Sequence, residues 1–82
     1  MKISTVIVDD EPLARKGLFV RLAEFDNIEV VGECKNGLEA VEKIPELRPD
    51  LVFLDIQMPG LNGFQVIKKL QEFEHPIPLI VF

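Results

Sequence analysis

Two uninterrupted apolar runs, each followed directly by acidic residues, constrain the fold of this chain more than any other feature. The first run, Ile3 to Val8, is followed by Asp9 and Asp10, and the second, Leu51 to Leu54, is followed by Asp55. Apolar runs without polar alternation are typical of strands that are buried on both faces, as in a parallel sheet. We therefore expect both runs to be central strands of such a sheet.

The other segments predict an edge strand, a fourth strand and three helices. Ile28 to Cys34 alternates in part, which places Val31 on the face opposite Cys34 and favours an edge strand. Ile77 to Phe82 is apolar on both faces, as expected of an interior strand. Apolar positions at helical spacing indicate the three helices: Ala14, Leu18, Leu22 and Phe25; Leu38, Val41, Ile44 and Leu47; Phe64, Ile67, Leu70 and Phe73. The order βαβαβαβ predicts an α/β fold with a parallel sheet and right-handed crossovers.

Length, charge and cysteine content narrow the class of protein. The 82 residues allow one small domain, and a net charge of −5 argues against a nucleic-acid surface. Cys34 is the only cysteine, which excludes an intrachain disulfide and a cysteine-based zinc site. No apolar run approaches the ~20 residues of a membrane span, and the first residues leave no room for a signal peptide. We expect a soluble, cytoplasmic domain with no membrane partner.

The acids that follow the two central strands predict a metal site. Ligands of open parallel sheets bind at the carboxyl ends of the strands, so Asp9, Asp10 and Asp55 are expected to meet there. Three carboxylates in one place repel each other and need a cation, and Mg²⁺ prefers oxygen ligands. A carboxylate can also attack phosphorus as a nucleophile, with the metal neutralising charge on the phosphoryl group.

Each of these residues also has a purely structural interpretation. Asp9 or Asp10 could cap the first helix, and Asp55 could form an Asx-turn. Met58, Pro59 and Gly63 could only build the next loop and helix start; the same loop contains Gln57. The acids after two separate strands favour the site over the structural interpretation.

The chain resembles the receiver domain of two-component response regulators. The matching stretches are Val6 to Glu11, Asn36 to Ala40, Pro49 to Pro59 and Asn62-Gly63. The segment Asp9 to Arg15 also resembles regulators that carry a LytTR-type DNA-binding domain. The resemblance implies a flavodoxin-like (CheY-like) sheet and a parent protein that regulates transcription.

The resemblance also implies roles for individual residues. Asp55 would accept a phosphoryl group from the phosphohistidine of a sensor histidine kinase. Asp10 would bind Mg²⁺ directly, Asp9 mainly through water, and Asp55 and the backbone carbonyl of Gln57 would supply further ligands. The residues that would shape the loop over the site are Met58, Pro59 and Gly63.

Residues 1–82 match only the N-terminal portion of that family. Complete receiver domains have five strands in the order 2-1-3-4-5 and five helices, so the fourth helix, the fifth strand with its phosphate-contacting Lys and the fifth helix are absent here. We expect a fragment of a longer regulator that is phosphorylated poorly and reaches DNA only through an output domain that is absent here. We also expect a homodimer formed through the exposed fourth strand or an uncovered sheet face.

Two other functions stay open on the sequence. A phosphatase of the haloacid dehalogenase kind also places a nucleophilic Asp after an apolar strand. Its Asp-x-Asp pattern differs from Asp55-Ile56-Gln57, because Gln57 cannot serve as a general acid. The third possibility is an interaction module that never takes phosphate.

Overall fold

The structure is a computed structural model, and it describes residues 2–56, 58, 63–72 and 78–81. The elements in chain order are β1 (Ile3–Val8), α1 (Pro12–Leu22), β2 (Ile28–Cys34), α2 (Gly37–Leu47), β3 (Leu51–Leu54), α3 (Gly63–Leu70) and β4 (Leu79–Val81). The strands in the described ranges form one parallel sheet in the order β2-β1-β3-β4. This confirms the predicted α/β class, the flavodoxin-like strand order, and the central position of β1 and β3.

One face of the sheet packs against α2 and α3 and forms the main hydrophobic core. The buried members of this core are Val6, Val8, Cys34, Ala40, Ile44, Val52, Leu54, Met58, Val66 and Leu70. The β1–β3 register pairs Val6 with Val52 and Val8 with Leu54, so these side chains share a face. Alternate residues of β1 and β3 therefore point to the other face, which explains why both strands are apolar throughout.

The opposite face is covered at its centre and open toward β4. Ile7 pairs with Phe53, and Phe53 pairs with Ile80, so the three side chains line one row across the sheet. Exposure rises along this row: Ile7 is fully buried, Phe53 is half-buried and Ile80 is 44% exposed. The connection from β1 to β2 runs toward one edge of the sheet, whereas the connections from β2 to β3 and from β3 to β4 run toward the other edge. Because all three connections are right-handed, α1 lies on the face opposite α2 and α3. The expected uncovered sheet face is therefore wrong at β1, where Ile7 is covered, and agrees with the structure at Ile80 of β4.

The helices bury fewer of the predicted apolar positions than expected. In α1, Leu22 is buried, but Ala14 is exposed, and Phe25 lies beyond the end of the helix and is 55% exposed. In α2, the stripe of buried residues begins at Gly37 rather than at Leu38, which is 61% exposed. The buried positions of α2 are Gly37, Ala40 and Ile44. Small residues in the first turns of α2 thus face the sheet, and the larger Leu38 faces outward.

A β-bulge in β2 changes which side chains share a face. Thr5 pairs with Val30, but Val6 pairs with Gly32, so Val31 is an extra residue in the ladder. Val31 consequently packs against the same core that contains Cys34. The predicted placement of Val31 and Cys34 on opposite faces is wrong for this reason, whereas the predicted edge position of the strand is confirmed.

The chain segment before β3 is tied to β1 at the end of the sheet remote from the acids. The amide and hydroxyl of Ser4 both donate to Asp50 Oδ2, at 2.9 and 3.0 Å. In return the Asp50 amide donates to the carbonyl and hydroxyl oxygens of Ser4, at 2.8 and 2.9 Å. We call this pair the Ser4–Asp50 clasp.

Among the helices that the structure describes, no helix has the length and apolar character needed to cross a bilayer.

Candidate metal centre

The three acids are brought together by strand pairing that continues past the ends of β1 and β3. The amide of Asp9 donates to the carbonyl of Cys34 at 3.0 Å, and the amide of Asp55 donates to the carbonyl of Val8 at 3.0 Å. The carboxylates of Asp9, Asp10 and Asp55 each offer an oxygen, and these oxygens all lie within 4.8 Å of one another. The adjacency of the two central strands thus produces the predicted cluster at the carboxyl edge of the sheet.

Asp9 is the most buried member of this cluster. It is 3% exposed, whereas Asp10 and Asp55 are half-buried. Burial raises the pKa of Asp9 above its usual value, and the negative charges of Asp55 and Asp10 raise this pKa further. The hydrogen bond that the Glu11 amide donates to Asp9 Oδ1 at 2.9 Å acts in the opposite direction. The net effect is a raised pKa of Asp9, so a cation beside the three carboxylates would favour their ionised form.

The donor set fits a hard divalent cation. All three side chains present carboxylate oxygens, which Mg²⁺ and Ca²⁺ prefer over nitrogen or sulfur. Cys34 lies close in the fold, but burial raises the pKa of its thiol to about 11, so it stays protonated at neutral pH. A soft-metal site is therefore not supported by the described residues.

The structural interpretation of Asp9 and Asp10 as helix caps is not supported. The N-cap of α1 is Glu11, and its side chain makes no capping hydrogen bond. Asp9 does accept a hydrogen bond from the Glu11 amide, so it also shapes the turn that leads into α1. Turn formation and membership of the cluster are compatible, because a carboxylate has two oxygens and can accept from more than one partner.

The loop after Asp55 is described only in part. Met58 is 5% exposed and packs in the main core, so it anchors this loop from beneath. Gly63 is the first residue of α3. Gln57 and Pro59 lie outside the described residues, so their predicted roles stay predictions.

Arg15 is a neighbour of the cluster for which the sequence pattern predicts no role. Its Nη1 donates to the backbone carbonyl of Asp9 at 2.7 Å, and its Nε lies 3.3 Å from Glu33 Oε1. The available signal was a long cationic side chain one turn into the helix that follows the acids. Such a side chain can reach back to the carbonyl groups of the preceding loop.

Comparison with known proteins identifies relatives of the chain. A family model described as response regulator receiver domain matches residues 5–82. The transcriptional regulatory protein BtsR of Escherichia coli strain K12 is 51% identical over 80 residues, which cover 98% of this chain and 33% of BtsR. The chain therefore spans about a third of the length of the curated relatives that it matches.

Solved structures of response regulator receiver domains are also similar to this chain. The response regulator domain of Thermotoga maritima CheB superposes with a TM-score of 0.93 at 38% identity, covering 99% of this chain and 60% of that one. The signal receiver domain of the putative response regulator NarL from Mycobacterium tuberculosis gives a TM-score of 0.91 at 36% identity, covering 98% of this chain and 64% of that one.

Proposed function

The chain belongs to the response regulator receiver domain family, and from this premise we propose that Asp55 accepts a phosphoryl group from a phosphohistidine of a sensor histidine kinase. The observation that carries the proposal is the cluster of three carboxylates within 4.8 Å at the carboxyl edge of the sheet. Asp55 follows the central strand β3 and is half-buried, so it is held in place while a donor can still approach.

The chemistry is a transfer between two nucleophiles. A carboxylate oxygen of Asp55 attacks phosphorus, the bond between phosphorus and the imidazole nitrogen breaks, and its electron pair stays on the imidazole. The product is an acyl phosphate on Asp55. The charge of the phosphoryl oxygens would add to that of Asp9 and Asp10, so the step needs a cation at this place.

We propose Mg²⁺ as that cation. Asp10 and Asp55 would bind it directly, Asp9 mainly through water, and the backbone carbonyl of Gln57 would complete the set of protein ligands. When bound, Mg²⁺ neutralises charge on the phosphoryl oxygens. The residues Met58, Pro59 and Gly63 would shape the loop above the site.

The phosphatase alternative is not favoured. A haloacid dehalogenase enzyme needs a second acid two residues after its nucleophile, and this chain has Gln57 at that position. The receiver domain is a signalling domain, and the relatives that it matches include transcriptional regulators.

For the parent protein, we propose a cytoplasmic transcriptional regulator that contacts DNA through an output domain outside these 82 residues. The net charge of −5 supports this arrangement, because a DNA-binding surface requires clustered Lys and Arg.

We further propose that two copies of the chain associate through β4. Ile80 is 44% exposed there, and within the described ranges β4 pairs on one side only, with β3.

The test of the proposed function is phosphorylation by a small-molecule phosphodonor. We expect a slow and partial, Mg²⁺-dependent mass gain of one phosphoryl group that hydroxylamine removes, as it does from acyl phosphates. Asp55→Asn should abolish this label, whereas Asp26→Asn, in an exposed turn, should retain it. A label that persists in Asp55→Asn, or that forms equally well without a divalent cation, would contradict the proposal.

A further inference from the structure

We infer that Arg15 is a positioning residue for the metal centre, because its guanidinium fixes the main chain that presents Asp9 and Asp10 to Asp55. The inference rests on the proposed function, in which this cluster holds Mg²⁺. It assigns a role to a residue that is not itself one of the acids and that lies on a different element.

The Arg15 side chain joins three parts of the fold. It extends from α1, donates through Nη1 to the carbonyl of Asp9 at 2.7 Å, and places Nε 3.3 Å from Glu33 Oε1 near the end of β2. The side chain is only 20% exposed, so these contacts are partly shielded from water. The Arg15 amide also donates to the carbonyl of Glu11 at 3.0 Å, which closes the first turn of α1 over the same loop.

Asp9 is consequently held at three of its polar groups. Its amide donates to the carbonyl of Cys34 at 3.0 Å, its carbonyl accepts from Arg15, and its Oδ1 accepts from the Glu11 amide at 2.9 Å. The bond from Arg15 fixes the peptide that joins Asp9 to Asp10. The direction of both carboxylates depends on this peptide, so its orientation matters for a metal held by them.

The geometry specifically suits an arginine. The planar guanidinium offers donors in a fixed fork and can serve a carbonyl on one side and a carboxylate on the other. A lysine ammonium is a compact point charge on a flexible stem, and it cannot hold these two acceptors in the same directions. A residue that supports metal ligands from behind in this way is typically needed for full metal affinity.

Positioning and simple charge effects predict opposite results when Arg15 is removed. A cation near three carboxylates repels a second cation, so the loss of its charge alone would strengthen Mg²⁺ binding. The loss of the fixed Asp9–Asp10 peptide would weaken Mg²⁺ binding instead. The sign of the change therefore separates the two roles.

The experiment is a calorimetric titration of the metal-free chain with Mg²⁺ alone. Arg15→Met should bind Mg²⁺ about tenfold more weakly, the lower end of the usual cost of losing such a supporting residue. Arg15→Lys keeps the charge and should also bind more weakly than the unaltered chain. Arg21→Met, in the last turn of the same helix, makes the same change in net charge and should leave the affinity unchanged.

Melting temperatures without Mg²⁺ accompany each titration, because a purely structural role would lower stability and leave the affinity of the folded chain unaltered. Unchanged or tighter binding by Arg15→Met would overturn the inference. Should Arg15→Met not fold, Arg15→Lys decides: affinity equal to that of the unaltered chain would overturn the inference, and weaker binding would support it. If the unaltered chain binds no Mg²⁺, the proposed metal site fails, and the inference fails with it.

Discussion

Asp9 and Asp55 lie side by side just past the ends of the paired strands β1 and β3, with carboxylate oxygens within 4.8 Å of each other. Burial is the main cause of the raised pKa of Asp9, and the neighbouring charges of Asp55 and Asp10 raise this pKa further. In the absence of metal, the cluster therefore resists full ionisation. Mg²⁺ favours the ionised form of Asp9, so its binding should strengthen as the pH rises through the raised pKa of this carboxyl.

Asp9→Asn should stabilise the metal-free protein at neutral pH. The amide removes one of three neighbouring charges, and its oxygen can still accept from the Glu11 amide. We expect a gain of about 1 kcal/mol, the repulsion between two unit charges about 4 Å apart in water. Urea unfolding in EDTA measures it, with Asp26→Asn as the control. A loss of stability would show that the Asp9 carboxylate is required by the fold itself.

The same raised pKa predicts how stability changes with pH. The stability that protonated Asp9 contributes is fully present below pH 3.8, the ordinary pKa of an aspartate. It is lost as the pH rises through the higher pKa of Asp9 in the folded protein. The advantage of Asp9→Asn should therefore be absent in acid and grow as the pH rises through that range. Urea midpoints of the two proteins, compared in EDTA across the acidic range, would check this. A constant difference at all pH values would contradict it.

Asp50→Ala should destabilise the fold without affecting the metal centre. The substitution removes the acceptor of two hydrogen bonds from Ser4. Because the clasp is exposed, we expect a loss of about 1–2 kcal/mol in the free energy of unfolding. The Mg²⁺ affinity of the folded protein should stay the same, since the acids lie at the other end of the sheet. Asp26→Ala is the control, and equal losses in both proteins would show that the clasp adds nothing.

Arg48→Gly should stabilise the protein. Arg48 ends α2 with φ 46°, in the left-handed region, and its amide donates to the carbonyl of Ile44 at 2.9 Å. A side chain in this conformation costs about 1 kcal/mol, which glycine avoids while keeping the backbone hydrogen bond. Arg48→Ala keeps the cost and should show no gain in urea unfolding. An equal gain in both variants would point to the lost charge instead.

Ile80→Lys should weaken the proposed self-association of the chain. The substitution places a charge at the exposed position 80 of β4, beside Phe53 of β3. Apolar contact between two copies would otherwise be favourable at this position. Sedimentation at micromolar concentration should show a dimer for the unaltered chain and a monomer for Ile80→Lys. Phe64→Lys, at an exposed position on α3, should remain a dimer. A monomeric unaltered chain would refute the association.

The sequence was sufficient to predict the burial of a side chain where that burial depends only on the position of its own strand in the sheet. Ile3–Val8 and Leu51–Leu54 are apolar on both faces because both faces of central strands are covered, and this pattern located the acids as well. The positions of Val31 and Leu38 could not be predicted in the same way. The first depends on a bulge set by pairing with β1, and the second on which small residues allow α2 to approach the sheet.

Arg15 illustrates a different difficulty. Its partners are a backbone carbonyl in the preceding loop and a carboxylate on β2, and neither choice is encoded by residue spacing. Three-dimensional proximity to Asp9 was needed to give this residue a role.

The clasp and the three acids occupy opposite ends of the same two strands, so the charges of one end should be removable without loosening the other. Replacing Asp9, Asp10 and Asp55 with their amides would remove every charge of the cluster and leave all four Ser4–Asp50 hydrogen bonds in place. The altered chain would keep its outer shape while being unable to take a phosphoryl group.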